Sequence, residues 1–233
     1  MAYQSNPQGK LWKTLLTSND STAQEEPGVI RELADGRKFR YIKMTGSALS
    51  LGLLVMPATK VSITNLTSAT VGGTTVITDS DATWTVNAYV GWYYATLTAM
   101  TGSQEPIKIV GNTATTLTLE KQIATALTSA GTDDGEIIAG TAAGVLTAVT
   151  DVGQPVIGVG IGTITENYWG WVQIRGIGAV VGDSTAENES MCPGGNAVGQ
   201  AIAADSDADN NIIGVCIGTA GTNECQTVLL NIP

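Results

Sequence analysis

Pro155-Val-Ile-Gly-Val-Gly-Ile-Gly-Thr163 recurs 56 positions later as Asn211-Ile-Ile-Gly-Val-Cys-Ile-Gly-Thr219. Six positions of the block are identical: Ile157/Ile213, Gly158/Gly214, Val159/Val215, Ile161/Ile217, Gly162/Gly218 and Thr163/Thr219. The correspondence runs back to Asp151/Asp207 and forward through Val172/Val228 and Ile174/Leu230. Aliphatic residues alternating with glycine carry the two-residue period of a strand, and glycine supplies turns and close approaches. Each copy therefore reads as a strand, a glycine-containing turn and a return strand, Gly170 to Ile177 in the first and Gln226 to Ile232 in the second. Two copies of one hairpin predict a pseudo-symmetric β-sandwich or β-barrel built by duplication. A turn at Ala220-Gly221 sets Cys216 across from Cys225, within reach of a disulfide, and Gly160 across from Trp169. The other reading is a pair of buried free thiols, because three cysteines in 233 residues form no dense disulfide framework and suit a reducing cytoplasm.

The rest of the composition agrees with an all-β chain of small barrel or sandwich units with little helix. Thr, Val, Ile and Gly are abundant, Phe39 is the single phenylalanine, and only 14% of residues are charged. Histidine is absent. That removes the commonest general base, the Ser/His and Cys/His nucleophile pairs and the usual transition-metal ligand, so an enzyme is not expected. No cofactor is expected either, since no phosphate loop, nucleophile elbow or dinucleotide fingerprint occurs. The net charge of −10 is uneven: residues 1–60 carry eight Lys/Arg against five acids, and the remainder three against sixteen. The acidic part repels a polyanion, which argues against nucleic acid. The N-terminus lacks a signal-type apolar core, and the apolar stretch Ala48–Ala58 is too short to span a membrane.

Along the chain, residues 1–27 read as an N-terminal arm in which Leu11, Trp12, Leu15 and Leu16 supply the apolar side, packed on a neighbouring subunit or folded back on the chain's own core. Residues 28–67 and 138–233 read as the main β domain, interrupted by an inserted β module at 68–137. In Val29-Ile-Arg-Glu-Leu-Ala-Asp-Gly-Arg-Lys-Phe-Arg-Tyr-Ile-Lys43, the pair Asp35-Gly36 predicts a hairpin with a two-residue type I′ turn. That turn pairs Ile30 with Tyr41 and Glu32 with Phe39, leaving Arg31, Lys38 and Arg40 together on a basic opposite face. With Lys10, Trp12 and Lys13 of the arm, these three form the candidate docking residues. In the module, Trp84, Trp92, Tyr93 and Tyr94 read as core, with a sugar-stacking platform as the alternative. Asp205-Ser-Asp-Ala-Asp-Asn-Asn211 resembles the start of a calcium loop but has Asn210 in place of the glycine and Cys216 in place of the closing glutamate, so no metal site is expected.

Three stretches resemble phage particle proteins. They are Val29–Lys43 followed by Gly46-Ser-Ala-Leu, then Ile77-Thr-Asp-Ser, Trp84-Thr-Val-Asn, Val90-Gly and Asn112-Thr-Ala-Thr-Thr-Leu-Thr, and the doubled I-G-V-x-I-G-T hairpin. The last resembles the capsid decoration, or cement, proteins of tailed phages. The resemblance implies a homotrimer on the outer capsid surface of the virion, made in the host cytoplasm, with the major capsid protein as partner. It carries over no catalytic residue. A tail or head-fibre component binding host glycans through the module's aromatics is the alternative from another class.

Overall fold

The computed structural model describes residues 12–64, 66–71, 73–96, 105–123, 126–127, 135–141, 143–145, 155–182, 189–193, 199–204, 211–219 and 221–233. Within them the chain is all-β, and no helix is long and apolar enough to cross a membrane. In chain order the strands are β1 (Ile30–Glu32), β2 (Lys38–Met44), β3 (Leu54–Pro57), β4 (Val61–Ile63), β5 (Thr67–Val71), β6 (Thr74–Thr78), β7 (Tyr93–Thr96), β8 (Ile107–Asn112) and β9 (Thr116–Leu119). They continue with β10 (Gly135–Ile138), β11 (Ala143–Val145), β12 (Gly158–Gly160), β13 (Trp169–Gly182), β14 (Ser190–Pro193), β15 (Ala201–Ala203), β16 (Gly214–Cys216) and β17 (Glu224–Asn231). Two compact units result, one from residues 1–57 with 141–233 and the other from residues 58–140.

The first unit is two rings of strands sharing one member. β2 pairs with β11 and with β13, and the series β11, β3, β12, β13 joins them, so five strands close on themselves. β13 pairs again, further along, with β15 and β17, and β15, β14, β16, β17 close a second five-stranded ring. The rings match in register. Val159 faces Gln173 and Gly160 faces Val172 in the first; 56 positions on, Val215 faces Leu229 and Cys216 faces Val228. Ile157 and Gly160 donate backbone hydrogen bonds to Val55 and Leu53, as Ile213 and Cys216 do to Met191 and Glu189. Pro57 lies opposite Gly144 just as Pro193 lies opposite Ala201. The parallel contact of β2 with β11 has its counterpart in that of β13 with β15.

This register explains the repeated glycines. A Cβ on Gly158 falls 2.3 Å from a methyl of Val172, and one on Gly214 falls 2.4 Å from the Leu229 carbonyl oxygen and 2.9 Å from a methyl of Val228. Only a bare backbone admits those neighbours. Ile42, Met44, Leu49, Val55, Ile164 and Val172 fill the first ring. Val180, Met191, Ile213, Cys216, Val228 and Leu230 belong to the core of the second.

Several expectations need correction. The Asp35-Gly36 hairpin forms, but with three loop residues: Gly36 N–H bonds to the Leu33 carbonyl, Leu33 N–H bonds to that of Arg37, and Gly36 alone has positive φ, at 85°. That is a type I turn closed by a left-handed glycine, and it shifts the pairing by one residue, to Ile30 with Arg40 and Arg31 with Phe39. Of the two readings of the cysteine pair, the free thiols hold and the disulfide does not. Cys216 is buried opposite Val228, Cys225 is exposed opposite Val181, and both are free thiols. Trp169 likewise does not cover Gly160, whose neighbours are Ser50 and Leu49. The first return strand runs on from Ile177 to Gly182. The insertion begins at residue 58 rather than 68, because β4 pairs with β10 of the second unit.

The second unit is one antiparallel sheet in the order β4-β10-β7-β8-β9-β6-β5 around Tyr94, Ile77, Ile109, Leu117 and Ile137. Its place in the chain is the β3–β11 connection. The matching connection of the second ring, between β14 and β15, takes only residues 194–200.

Two outcomes test this architecture. Gly158→Ala and Gly214→Ala each destabilise by about 1–3 kcal/mol through overpacking, whereas Gly162→Ala and Gly218→Ala, with no atom within 4 Å of the new methyl, change little in urea unfolding. Replacing residues 58–142 by the seven residues 194–200 leaves a first unit that still unfolds cooperatively, with its near-ultraviolet signal from Trp12 and Trp171 retained.

Candidate docking surface

The sequence places the docking candidates on an arm and a hairpin, and the structure joins these two into one cap over the outside of the first ring. Trp12, Phe39, Tyr41, Trp169 and Trp171 form a buried cluster, with Leu16, Val29, Leu33 and Ile161 packed against it. Trp12 meets Trp171 edge-on, at 5.3 Å and 86°, and Tyr41 stacks on Trp169 at 5.9 Å. β13 carries a tryptophan at 169 and again at 171 because alternate residues of a strand share a face.

Polar contacts sew the arm down. Asp20 and Trp169 exchange both backbone hydrogen bonds, at 2.9 and 2.8 Å. The Tyr41 hydroxyl donates to Asp20 Oδ2 at 3.0 Å, and burial together with that carboxylate pushes its pKa up. Thr14 is held twice: its carbonyl accepts from Arg31 Nη1 at 3.1 Å and its hydroxyl from Trp171 Nε1 at 3.0 Å.

The register correction decides the arginines. Arg31 lies on the Phe39 face, 3% exposed, with its guanidinium 5.6 Å from the Trp12 ring and 6.0 Å from that of Trp171. Burial lowers its pKa, and the nearby Glu25 carboxylate offsets part of that shift. Arg40 is 5% exposed and donates to the carbonyls of Ile157 and Pro233. Both are therefore structural cations, and neither belongs to an exposed basic face. Trp12 is buried with them, against the chain's own core. Lys38 pairs with Glu32 at 3.2 Å, Lys13 is exposed, and Lys10 lies outside the described residues.

What the cap turns outward is mainly apolar: Leu15 at 61% exposure and Ile30 at 46%, flanking the hydrogen-bonded pair Thr14 and Arg31, with Lys13 beside them in the chain. Sequence reasoning missed Ile30 as a surface residue because a one-residue shift reverses which side of β1 is buried, whereas Leu15 was read as part of the arm's apolar side.

The aromatic candidates of the second unit are not brought together as a platform. Trp92 and Tyr94 are buried at 5% and 1%, and Tyr93, next to Tyr94 in β7, is exposed. Trp84 reaches Trp92 only through Tyr89, which the sequence reading did not include, by edge-on contacts of 5.8 and 5.3 Å. Asn112 shapes that loop, accepting from Tyr89 N–H and donating to the Thr85 and Thr113 carbonyls. Residues 205–210 of the acidic loop lie outside the described residues. Among those described, no group of three or more acidic or sulfur ligands is placed to hold a metal ion.

Arg31→Ala removes the buried cation packed beside two indoles and leaves the Thr14 carbonyl without it; the expected loss is about 3 kcal/mol in urea unfolding, with the exposed Lys13→Ala as the neutral control. No family model, curated protein or solved structure matches this chain.

Proposed function

We propose that this is a structural, non-catalytic protein that decorates the outside of a tailed-phage capsid and stabilises it. The observation that carries the reading is the cap. An N-terminal segment and a hairpin are fastened where the buried Arg31 guanidinium packs beside the edge-on Trp12–Trp171 pair, and they present exposed aliphatic side chains, Leu15 and Ile30, beside Lys13. Burying a cation to rigidify an outward-facing apolar surface suits a docking element, since a preformed surface loses little entropy on binding. The absence of histidine from the whole chain and the resemblance of the doubled hairpin to cement proteins support the same reading. A protein that binds the assembled shell and not its free subunits adds free energy to the assembled state alone. The major capsid protein is the partner, and the virion surface is the location, reached after synthesis in the host cytoplasm.

The test is reconstitution on particles stripped of this protein. Leu15→Asp with Ile30→Asp should weaken occupancy by at least about tenfold, equivalent to ~1.4 kcal/mol, with the unfolding midpoint unchanged. Binding of the double variant at wild-type level, or no binding of the wild-type chain to such particles, sinks the reading.

A further inference from the structure

The two rings are built alike but finished differently. In the first, Phe39 and Ile161 lie under Trp12, Leu16, Val29 and Leu33 of the cap. Register equivalence maps Phe39 onto Ile177, Ile161 onto Ile217 and Val159 onto Val215. Those counterparts are exposed at 59%, 44% and 40%, and Leu229, directly between Ile177 and Val215 across β13, β17 and β16, at 50%. Ile212 adds a further 48% at the edge. A contiguous aliphatic row of this kind on a soluble surface marks an association site.

The charges bordering the row say what meets it. A groove of about 740 Å³ runs along Ile177, Leu229 and Val215, and Asp35 and Arg175 line it as well. Arg37, the first-ring counterpart of Arg175, has its guanidinium 5.7 Å from the Phe39 ring and pairs with Asp35 at 2.7 Å. Arg175 is exposed beside Ile177 and has no side-chain ion pair among the described residues. The Asp35 carboxyl is held below its usual range, first by the Arg37 backbone N–H and then by its side chain, so it is ionised at neutral pH. One groove thus carries an exposed acid on a hairpin tip and an exposed base beside an uncovered apolar row. A two-fold operation turns such a surface into its own complement.

We propose that a second copy of this chain seats on the outer face of the second ring about a two-fold axis, each copy's Asp35 meeting Arg175 of the other while the Ile177–Leu229–Val215 rows pack together. This face shares only the hairpin tip with the cap and leaves Leu15 and Ile30 free, and it gives a dimer, in place of the trimer that the resemblance implies. Elsewhere two chains of charge −10 repel, and the row itself bears no carboxylate.

Sedimentation equilibrium of the full chain, 24.0 kDa, tests it. The expected mass is that of two chains. Leu229→Lys, at an exposed position, yields the mass of one chain that still unfolds cooperatively, at a midpoint that no longer depends on protein concentration. Arg175→Glu weakens the pair by at least about tenfold, and adding Asp35→Lys restores it. A wild-type mass of one chain at the highest soluble concentration overturns the proposal, as does a trimer, or a dimer indifferent to Leu229→Lys. None of these results depends on particles, so this proposal and the capsid-docking reading fail separately.

Discussion

Strand β13 must be satisfied along both of its edges by two different sets of neighbours, and the first unit is organised around that demand. Its fourteen residues pair first with β2 and β12, then with β17 and β15. A register shift between Gln173 and Arg175 marks the changeover. Closing each set into a ring leaves no open ladder of backbone donors and acceptors in that ring, which is what an all-β chain needs to stay unaggregated. The side chains follow the same division. From Trp169 to Ile174 every residue is buried, with one face toward the first ring's interior and the other beneath the cap. From Arg175 onward more exposed residues alternate with less exposed ones, because no described segment caps the outer face of the second ring.

That asymmetry organises the functional reading. One outer face is finished with the chain's own arm, held by an arginine beside two tryptophans in mutual contact, and the other is left aliphatic with an arginine at its margin. Two copies of one five-stranded unit thus provide two different surfaces, one proposed for a shell and one for a second copy. The insertion of residues 58–140 fits the same plan, since it occupies a hairpin connection that the second ring makes with seven residues.

Legibility in the sequence varied with the range of the interaction. The doubled hairpin was readable because its strands are near in sequence and its glycines are required by contacts within the hairpin, Gly158 with Val172 and Gly214 with Val228 and Leu229. The third strand of each repeat was not, since Leu54–Pro57 and Ser190–Pro193 share only their proline and Val55 meets Gly158 only across the inserted unit's sequence. The Asp35-Gly36 turn was located correctly, yet one extra loop residue moved Arg31 from a solvent face to a buried place beside Trp12 and Trp171. No count of charges reveals such a change. The cysteine pairing failed in the same way, by three positions of register between Cys216 and its true partner Val228.

By itself, then, the sequence determined an all-β chain, the doubled hairpin, the position of the first turn and the lack of histidine-dependent chemistry. Those depend on composition and on the two-residue period, which each segment carries locally. Tertiary structure alone decided the ring closure, the burial of Arg31, Arg40 and Trp12, the exposure of Leu15, Ile30 and Leu229, and the strand partners of Cys216 and Cys225. Each of these turns on register between distant strands, and a shift of one residue exchanges the inner and outer faces of a strand without altering its pattern.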